Sequence, residues 1–351
     1  MSYKKVVVLG AQVPFIRGGA ERLTDSLVEA INQRLEGVRA ELVQLPFKWY
    51  PETQLLKDMA AWRLVDLSET NGNPIDLCIA TKYPTYLARH DNKVTWLVHQ
   101  HRVFYDLEGS EFDTPHNLAD DAIVREKVRS TDGRFLAESK SIFTISETVS
   151  DRLRHFNQLE STPVYPPPEL AERIQPGQYD DYFLYIGRVE RIKRIEPLID
   201  ALGKLEAGRA IIVGTGKHLP ALKDYVRQRG LEDRCRFEGY VSDDRYLSLL
   251  ANARAVYYAP IDEDYGFATI EALLASKPVV TLEDSGEVAR IVKSNGGGFV
   301  ARTGSDELAS HLERLLSLNA NQLQEMTAEG HRFARSISWE NVLNRLVVPY
   351  L

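Results

Sequence analysis

Two carboxylates, Glu263 and Glu271, bracket the stretch Ile261-Asp262-Glu263-Asp264-Tyr265-Gly266-Phe267-Ala268-Thr269-Ile270-Glu271-Ala272. The apolar run Ala255-Val256-Tyr257-Tyr258-Ala259 before it reads as a buried strand, and Ile270 to Ala275 reads as a helix, so the pair sits at a strand-to-helix turn. Gly266 lets the backbone approach a ligand with no Cβ in the way, and the N–H groups that open the helix suit a phosphate. Carboxylates so placed repel a phosphate; their chemistry is to hold sugar hydroxyls. A plainer reading stands beside it, in which Glu263 and Asp264 are a charge pair favoured by the helix dipole and Glu271 is solvated.

Cations that complement an anion follow another apolar run. Tyr182 to Ile186 reads as a strand, and Gly187-Arg188-Val189-Glu190-Arg191-Ile192-Lys193-Arg194 comes next. The planar fork of Arg188 and the point charge of Lys193 can neutralise a diphosphate and stabilise it as it leaves. Solvated Lys and Arg are common on any surface, so this loop alone is a weak signal. Gly214 and Gly216 end the following strand, where backbone can approach a ligand. Phe237-Glu238-Gly239-Tyr240-Val241 ends another, where backbone groups near Tyr240 and Val241 can pair with a nucleobase.

In the first half, Gly18 and Gly19 lie where a first strand, Lys5 to Leu9, hands over to a helix from Ala20 to Arg34, a usual place for phosphate to meet amides. A loose connection with Glu21 in the first helical turn is the simpler alternative. The strand Val94 to Val98 runs into His99-Gln100-His101-Arg102. Histidine at the carboxyl end of a central strand can hydrogen-bond a hydroxyl or move a proton near neutral pH, or merely satisfy a loop. No Cys, Asp or His spacing nearby completes a metal site, so no metal is expected.

A chain of 351 residues, 44% of them hydrophobic, must place these loops on more than one core. Strands at Ala40 to Leu45, Ile75 to Ala80, Val94 to Val98 and Ser141 to Ile145 alternate with helical stretches, the pattern of an α/β, doubly wound parallel sheet. The proline-rich stretch Thr162-Pro163-Val164-Tyr165-Pro166-Pro167-Pro168 reads as a linker. A second alternating unit follows through Pro278 to Leu282. The expected division is 1–167 and 168–335, with a helix over about 336–351 crossing back to the first domain and a cleft between the two.

A net charge of −7 argues against nucleic acid as a partner. Cys78 and Cys235 lie in apolar or strand-like runs and read as buried thiols. No secretory leader or membrane-length apolar run is legible, so a cytoplasmic location is expected. Leu55, Leu56, Met59, Trp62 and Leu64 of Glu52 to Leu67 fit the buried face of an ordinary helix better than an interfacial helix on the inner face of a membrane. The twin glycines are not the dinucleotide fingerprint, and there is no nucleophile elbow, Walker loop or zinc ribbon.

Taken in order, these pieces resemble the family 4 glycosyltransferases, retaining sugar-transfer enzymes of the GT-B fold. The match runs from Gly18-Gly19-Ala20-Glu21-Arg22 through His99 and His101, Ser146-Glu147, Gly187-Arg188 with Lys193, Gly214-Thr215-Gly216 and Phe237 with Gly239. It ends on the E-x7-E pair Glu263 and Glu271 and on Lys277-Pro278-Val279-Val280. The resemblance implies two Rossmann-like domains and transfer of a hexose, with no metal or cofactor. The donor would be a UDP- or GDP-sugar and the acceptor a hydroxyl of a saccharide or lipid-linked molecule, as in cell-surface polysaccharide or glycan biosynthesis. It implies Arg188 and Lys193 on the diphosphate, Glu271 on the ribose, and Glu263 with the amides of Gly266, Phe267 and Ala268 on the transferred sugar. Gly18 and Gly19 would close on the phosphates, and His99, first at its strand end, is preferred to His101 as the active-site histidine, with His101 and Arg102 toward the acceptor. Two features depart from the pattern: Arg194 stands where many members have glycine, and Glu283-Asp284-Ser285-Gly286-Glu287 is a shortened glycine-rich turn, whose Glu287 is given no role. A nucleotide-sugar epimerase of the same fold, or a binding protein that turns nothing over, are the alternatives.

Overall fold

The structure, a computed structural model, describes residues 3–16, 18–115 and 118–351; Arg17, within the glycine-rich segment read from the sequence, lies outside them. The chain forms two compact units, one of residues 1–169 with 338–351 and one of 170–337.

The first unit begins β1 (Lys4–Gln12), α1 (Gly19–Arg34), β2 (Val38–Pro46), α2 (Thr53–Leu64). The short pair β3 (Glu69–Thr70) and β4 (Asn73–Pro74) follows, then β5 (Leu77–Ala80), β6 (Lys93–Leu97), α3 (Leu118–Leu136), β7 (Ser141–Thr144), α4 (Glu147–Asn157) and β8 (Thr162–Pro163). Six of the strands make one sheet in the order β2-β1-β5-β6-β7-β8, every neighbouring pair parallel. Val6 to Leu9 and Leu77 to Ala80 are buried throughout, as strands covered on both faces must be. The chain goes outward from β1 to β2 and then returns to β5 on β1's other side. That switch opens a crevice at the carboxyl ends of β1 and β5, where open α/β sheets place ligands.

The second unit carries β9 (Tyr182–Ile186), α5 (Glu196–Gly203), β10 (Arg209–Val213), α6 (Leu219–Gln228), β11 (Cys235–Gly239), α7 (Asp243–Asn252) and β12 (Ala255–Tyr257). It continues with α8 (Phe267–Leu274), β13 (Val279–Leu282), α9 (Glu287–Asn295), β14 (Gly298–Ala301), α10 (Ser305–Ser317) and α11 (Ala320–Ser336). Its sheet, again parallel, runs β11-β10-β9-β12-β13-β14, so the switch lies between β9 and β12.

The last helix, α12 (Trp339–Leu346), belongs to the first unit. Trp339 packs edge-on to Trp96 at 6.4 Å, Asn92 Nδ2 donates to the Tyr350 carbonyl at 2.7 Å, and the Tyr350 hydroxyl donates to Ser141 Oγ at 2.6 Å.

One reading is corrected. The proline-rich stretch begins as structure, not linker: Thr162–Pro163 is the edge strand β8, and Trp96 Nε1 donates to the Val164 carbonyl at 3.0 Å. Prolines are stiff and extended, which suits an edge strand as well as a hinge. The β3/β4 hairpin was not read, although its turn residues Asn71 and Gly72 both have positive φ, the Asn-Gly signature of a tight hairpin. The reading of α2 as an ordinary core-packed helix agrees with the structure: Leu55, Met59 and Trp62 are buried, Trp62 at 1% exposure, so Trp62 has no surface to offer a membrane, while Leu64 at the helix end is exposed.

Candidate active site

Ile186 ends β9, and Gly187, at φ 145°, turns the chain out of the sheet. The loop then folds back on the end of β10: Gly187 N donates to the Val213 carbonyl at 3.1 Å and Val189 N to the Thr215 carbonyl at 2.9 Å. This explains two of the predicted glycines. A Cβ on Gly214 would stand 1.9 Å from the Gly187 oxygen, and one on Gly216 would stand 2.1 Å from the Val189 oxygen. The close approach they permit is that of the chain's own loop. The Tyr185 hydroxyl donates to the Arg188 carbonyl at 2.7 Å, and Arg188, 60% exposed at its side chain, lies 2.9 Å from Glu190. Its fork therefore faces solvent from an anchored backbone.

A single 3-10 turn, Arg191–Lys193, delivers Lys193 to the end of β12. There its ammonium donates to Glu263 Oε2 at 2.7 Å and to the Tyr258 hydroxyl at 3.1 Å, and that hydroxyl donates to Glu263 Oε1 at 3.2 Å. Lys193 is buried, and Glu263 is 18% exposed at its side chain. A lysine is rarely buried without a partner; here the carboxylate neutralises it and the Tyr258 ring lies 5.4 Å from it. Burial, then the Glu263 charge, pushes the Tyr258 hydroxyl well above the usual tyrosine range, so it keeps its proton and stays a donor. The structure thus brings together predicted Lys193 and Glu263, with Tyr258 as a third member that sequence reading missed. Its signal was present, since Tyr258 directly follows β12 at the switch point.

Glu263 approaches α8, whose cap is Gly266 at φ 82°. A Cβ there would sit 2.6 Å from Val288 Cγ2, so both backbone and packing require glycine. The N–H groups of Phe267 and Ala268 open the helix beside the Glu263 loop, an arrangement able to bind an anion. One turn on, Glu271 accepts from the Tyr246 hydroxyl of α7. At the end of β11, Gly239 has φ 67°, Tyr240 is 81% exposed, and Val241 is half-buried.

In the first unit, Gly18 caps α1 in an extended conformation, and its N–H donates to Glu21 Oε2 at 2.8 Å; Gly19 is the first helical residue. Glu21 Oε1 accepts from Lys82 at 2.6 Å, from just beyond β5. Burial works to raise the Glu21 pKa, but the Lys82 charge and the bonds to the carboxylate outweigh it and the net shift is down. This switch point therefore also holds a cation–carboxylate pair, and Lys82 was not singled out from the sequence.

The histidines separate. His99 Nδ1 donates to the Gln100 carbonyl at 2.7 Å, so that ring nitrogen carries a proton and is engaged in the loop. The His101 ring packs on Phe104 at 4.6 Å, Tyr83 at 5.5 Å and Phe47 at 6.5 Å. Burial, with help from neighbouring charges, lowers its pKa to about 3, so it is a neutral packing group. Arg102 turns back to Asp106, with Nε donating at 2.7 Å. Beneath them the Tyr105 hydroxyl donates at 2.8 Å to Asp132, a fully buried carboxyl that burial raises to about 7. Among the described residues no group of three or more His, Cys, Asp or Glu is placed to hold a metal, and no helix is long and apolar enough to cross a membrane.

Residues 169–333 match the family model described as Glycosyl transferases group 1, which covers most of the second unit. Over 306 residues the chain is 27% identical to O-antigen chain mannosyltransferase B of Escherichia coli, covering 76% of this chain and 78% of that protein. Matches to three other curated relatives span only 35% to 46% of those proteins' own length. Among solved structures, sucrose-phosphate synthase of Thermosynechococcus elongatus superposes with a TM-score of 0.75 at 16% identity, over 99% of this chain and 98% of that one. HepE of Anabaena in complex with UDP and glucose gives 0.70 at 16% identity, over 98% of each chain. The fold is accordingly α/β of the GT-B class, two doubly wound, Rossmann-like units.

Proposed function

We propose that the chain is a glycosyltransferase that moves a hexose, with retention of anomeric configuration, from a nucleotide-diphosphate sugar to a hydroxyl of a saccharide or lipid-linked acceptor. The observation that carries this is the Lys193–Tyr258–Glu263 cluster at the β9/β12 switch, beside the N-terminus of α8. The group 1 match over this unit supports it, and so does the structure of HepE, which is in complex with UDP and glucose. The mannosyltransferase of O-antigen chains supports a role in polysaccharide or glycan synthesis. The donor nucleotide is UDP or GDP.

In this reading the exposed fork of Arg188 and the ammonium of Lys193 take the diphosphate, and the Phe267 and Ala268 amides add the helix-end field. Glu271 takes the ribose hydroxyls, and Tyr240 with Val241 lies beside the base. Glu263 is already neutralised by Lys193 at 2.7 Å, which makes it a poor nucleophile and a good acceptor for sugar hydroxyls. The bond from the anomeric carbon to the diphosphate oxygen breaks, and the acceptor oxygen bonds to that carbon from the same face. The departing phosphate oxygen takes the acceptor proton. The protein's own cations neutralise the leaving group, so transfer proceeds without a metal ion. Gly18 and Gly19 are assigned to the donor phosphates, and His99 is assigned as the active-site histidine.

Product analysis tests this. Incubation with UDP- and GDP-hexoses and a saccharide acceptor, with and without EDTA, should release nucleoside diphosphate and form a glycoside of unchanged anomeric configuration. An inverted product rejects retention; loss of activity in EDTA rejects metal independence. Formation of free or altered sugar from donor alone, with no glycoside, makes the protein an epimerase or hydrolase.

A further inference from the structure

Arg194 stands at φ 47°, a left-handed conformation that a side chain adopts at a cost, and its guanidinium is only 15% exposed. It donates from Nε to the Ala259 carbonyl at 2.9 Å and from one terminal nitrogen to the Pro260 carbonyl at 3.1 Å. Its fork closes on both oxygens of Asp284, at 2.6 and 2.7 Å, and reaches Ser285 Oγ at 3.2 Å. Its own carbonyl accepts from the Tyr257 hydroxyl at 2.8 Å. One side chain thus ties the Lys193 turn to the segment leaving β12 and to the turn after β13.

Those segments hold the Glu263 backbone. Ile261 N donates to the Ile192 carbonyl at 2.9 Å, Asp262 N to the Asp284 carbonyl at 2.9 Å, and Glu287 N to the Glu263 carbonyl at 3.0 Å. Gly286, at φ 58°, lies so close that a Cβ would stand 2.5 Å from the Glu263 oxygen. The Asp284–Glu287 turn therefore forms the wall against which Glu263 rests, and Arg194 fastens that wall.

We propose that Arg194, through Asp284, is a positioning residue that holds Glu263 and Lys193 in their paired geometry without touching substrate. This rests on the assignment of that pair to the donor site. A guanidinium suits the task because its planar fork takes a carboxylate bidentately while its remaining N–H groups reach two carbonyls, which lysine cannot do.

The test uses the full chain with Arg194→Ala, Asp284→Asn and the double variant, read by hydrogen exchange without donor and by steady-state transfer. Exchange should quicken over residues 260–264 and 284–288 while the rest of the second unit is unchanged. Transfer should lose about a hundredfold in kcat with donor KM within about threefold, as for displaced catalytic groups. The double variant should be no worse than the poorer single, because both remove one contact. Arg194→Lys should recover only part of the loss. Should Arg194→Ala unfold, Asp284→Asn carries the test, since that side chain is 47% exposed. Unchanged exchange in both segments, or additive losses in kcat, overturns the proposal. If the unaltered protein transfers no sugar, the assigned function falls while the exchange result still decides whether Arg194 positions Glu263.

Discussion

Removing one partner of the Lys193–Glu263 pair should cost stability and transfer together, and removing both should restore only stability. At 2.7 Å two unit charges attract by about 6 kcal/mol at an effective dielectric of about 20, and by about 1.5 kcal/mol in water. Desolvation offsets much of that, so breaking a buried pair costs about 3–5 kcal/mol, chiefly as the penalty of the charge left behind. With side chains 11% and 18% exposed, the low end applies, about 3 kcal/mol for Glu263→Ala and for Lys193→Met. In a unit of this size that lowers the melting temperature by about 6–12 °C. Lys193→Met/Glu263→Ala leaves no orphaned charge and should melt above either single variant. All three should lose about 10²–10³-fold in nucleoside diphosphate release: the two variants without Lys193 lose the cation aimed at the leaving group, and Glu263→Ala loses the carboxylate that holds that cation in place and takes the sugar hydroxyls. Calorimetry gives the stability cycle and a coupled diphosphate assay gives the rates. Additive destabilisation would show that the two charges are not coupled, and near-normal release from Lys193→Met would show that the ammonium does not serve the leaving group.

Other outcomes follow from the packing. Gly214→Ala places a Cβ against the Gly187 carbonyl at a left-handed backbone, and should destabilise the second unit by about 3 kcal/mol or more in denaturant titration. Trp62→Glu drives a carboxylate into the first unit's core and should cost at least about 3 kcal/mol by the same titration, with liposome co-sedimentation of the folded fraction unchanged. Asp132 and His101 titrate with opposite signs. The Asp132 pKa, raised by burial to about 7, makes stability fall as pH rises from the ordinary carboxyl range through 7. The His101 pKa, lowered to about 3, makes stability fall as pH drops from the ordinary histidine range toward 3. Asp132→Asn should therefore raise the melting temperature more at pH 8 than at pH 4, and unmask the acid-side loss due to His101.

Much of this was legible because parallel strands buried on both faces must be written as apolar runs, and β1, β9 and β12 each hand over to a glycine-bearing loop. Their order in the sheet was not legible, so the sequence showed Lys193 and Glu263 without showing that β9 and β12 are neighbours at the switch. Gly214 and Gly216 were readable as places of close approach, but the approaching group is the Gly187–Val189 backbone, known only once β9 and β10 are paired. His101 and Arg102 follow a strand end as His99 does; sequence could not show that one ring turns into an aromatic cluster and that the guanidinium turns back to Asp106. Arg194 was legible only as a departure from glycine because Asp284, ninety residues on, is invisible to local spacing.

The roles given to Arg188, Lys193 and Glu263 all require that the β9/β12 switch bind a nucleotide-diphosphate sugar. The most direct measurement is thermal melting of the full chain against UDP, GDP, ADP and their hexoses. At a ligand concentration about a hundredfold above Kd, binding to the native state adds about 2.7 kcal/mol, a rise of about 5–11 °C for a unit of this size. That rise is expected with UDP or GDP and their sugars, and its loss in Arg188→Ala and Lys193→Met. No shift with any nucleotide, or an equal shift in both variants, would mean that this switch is not the nucleotide site.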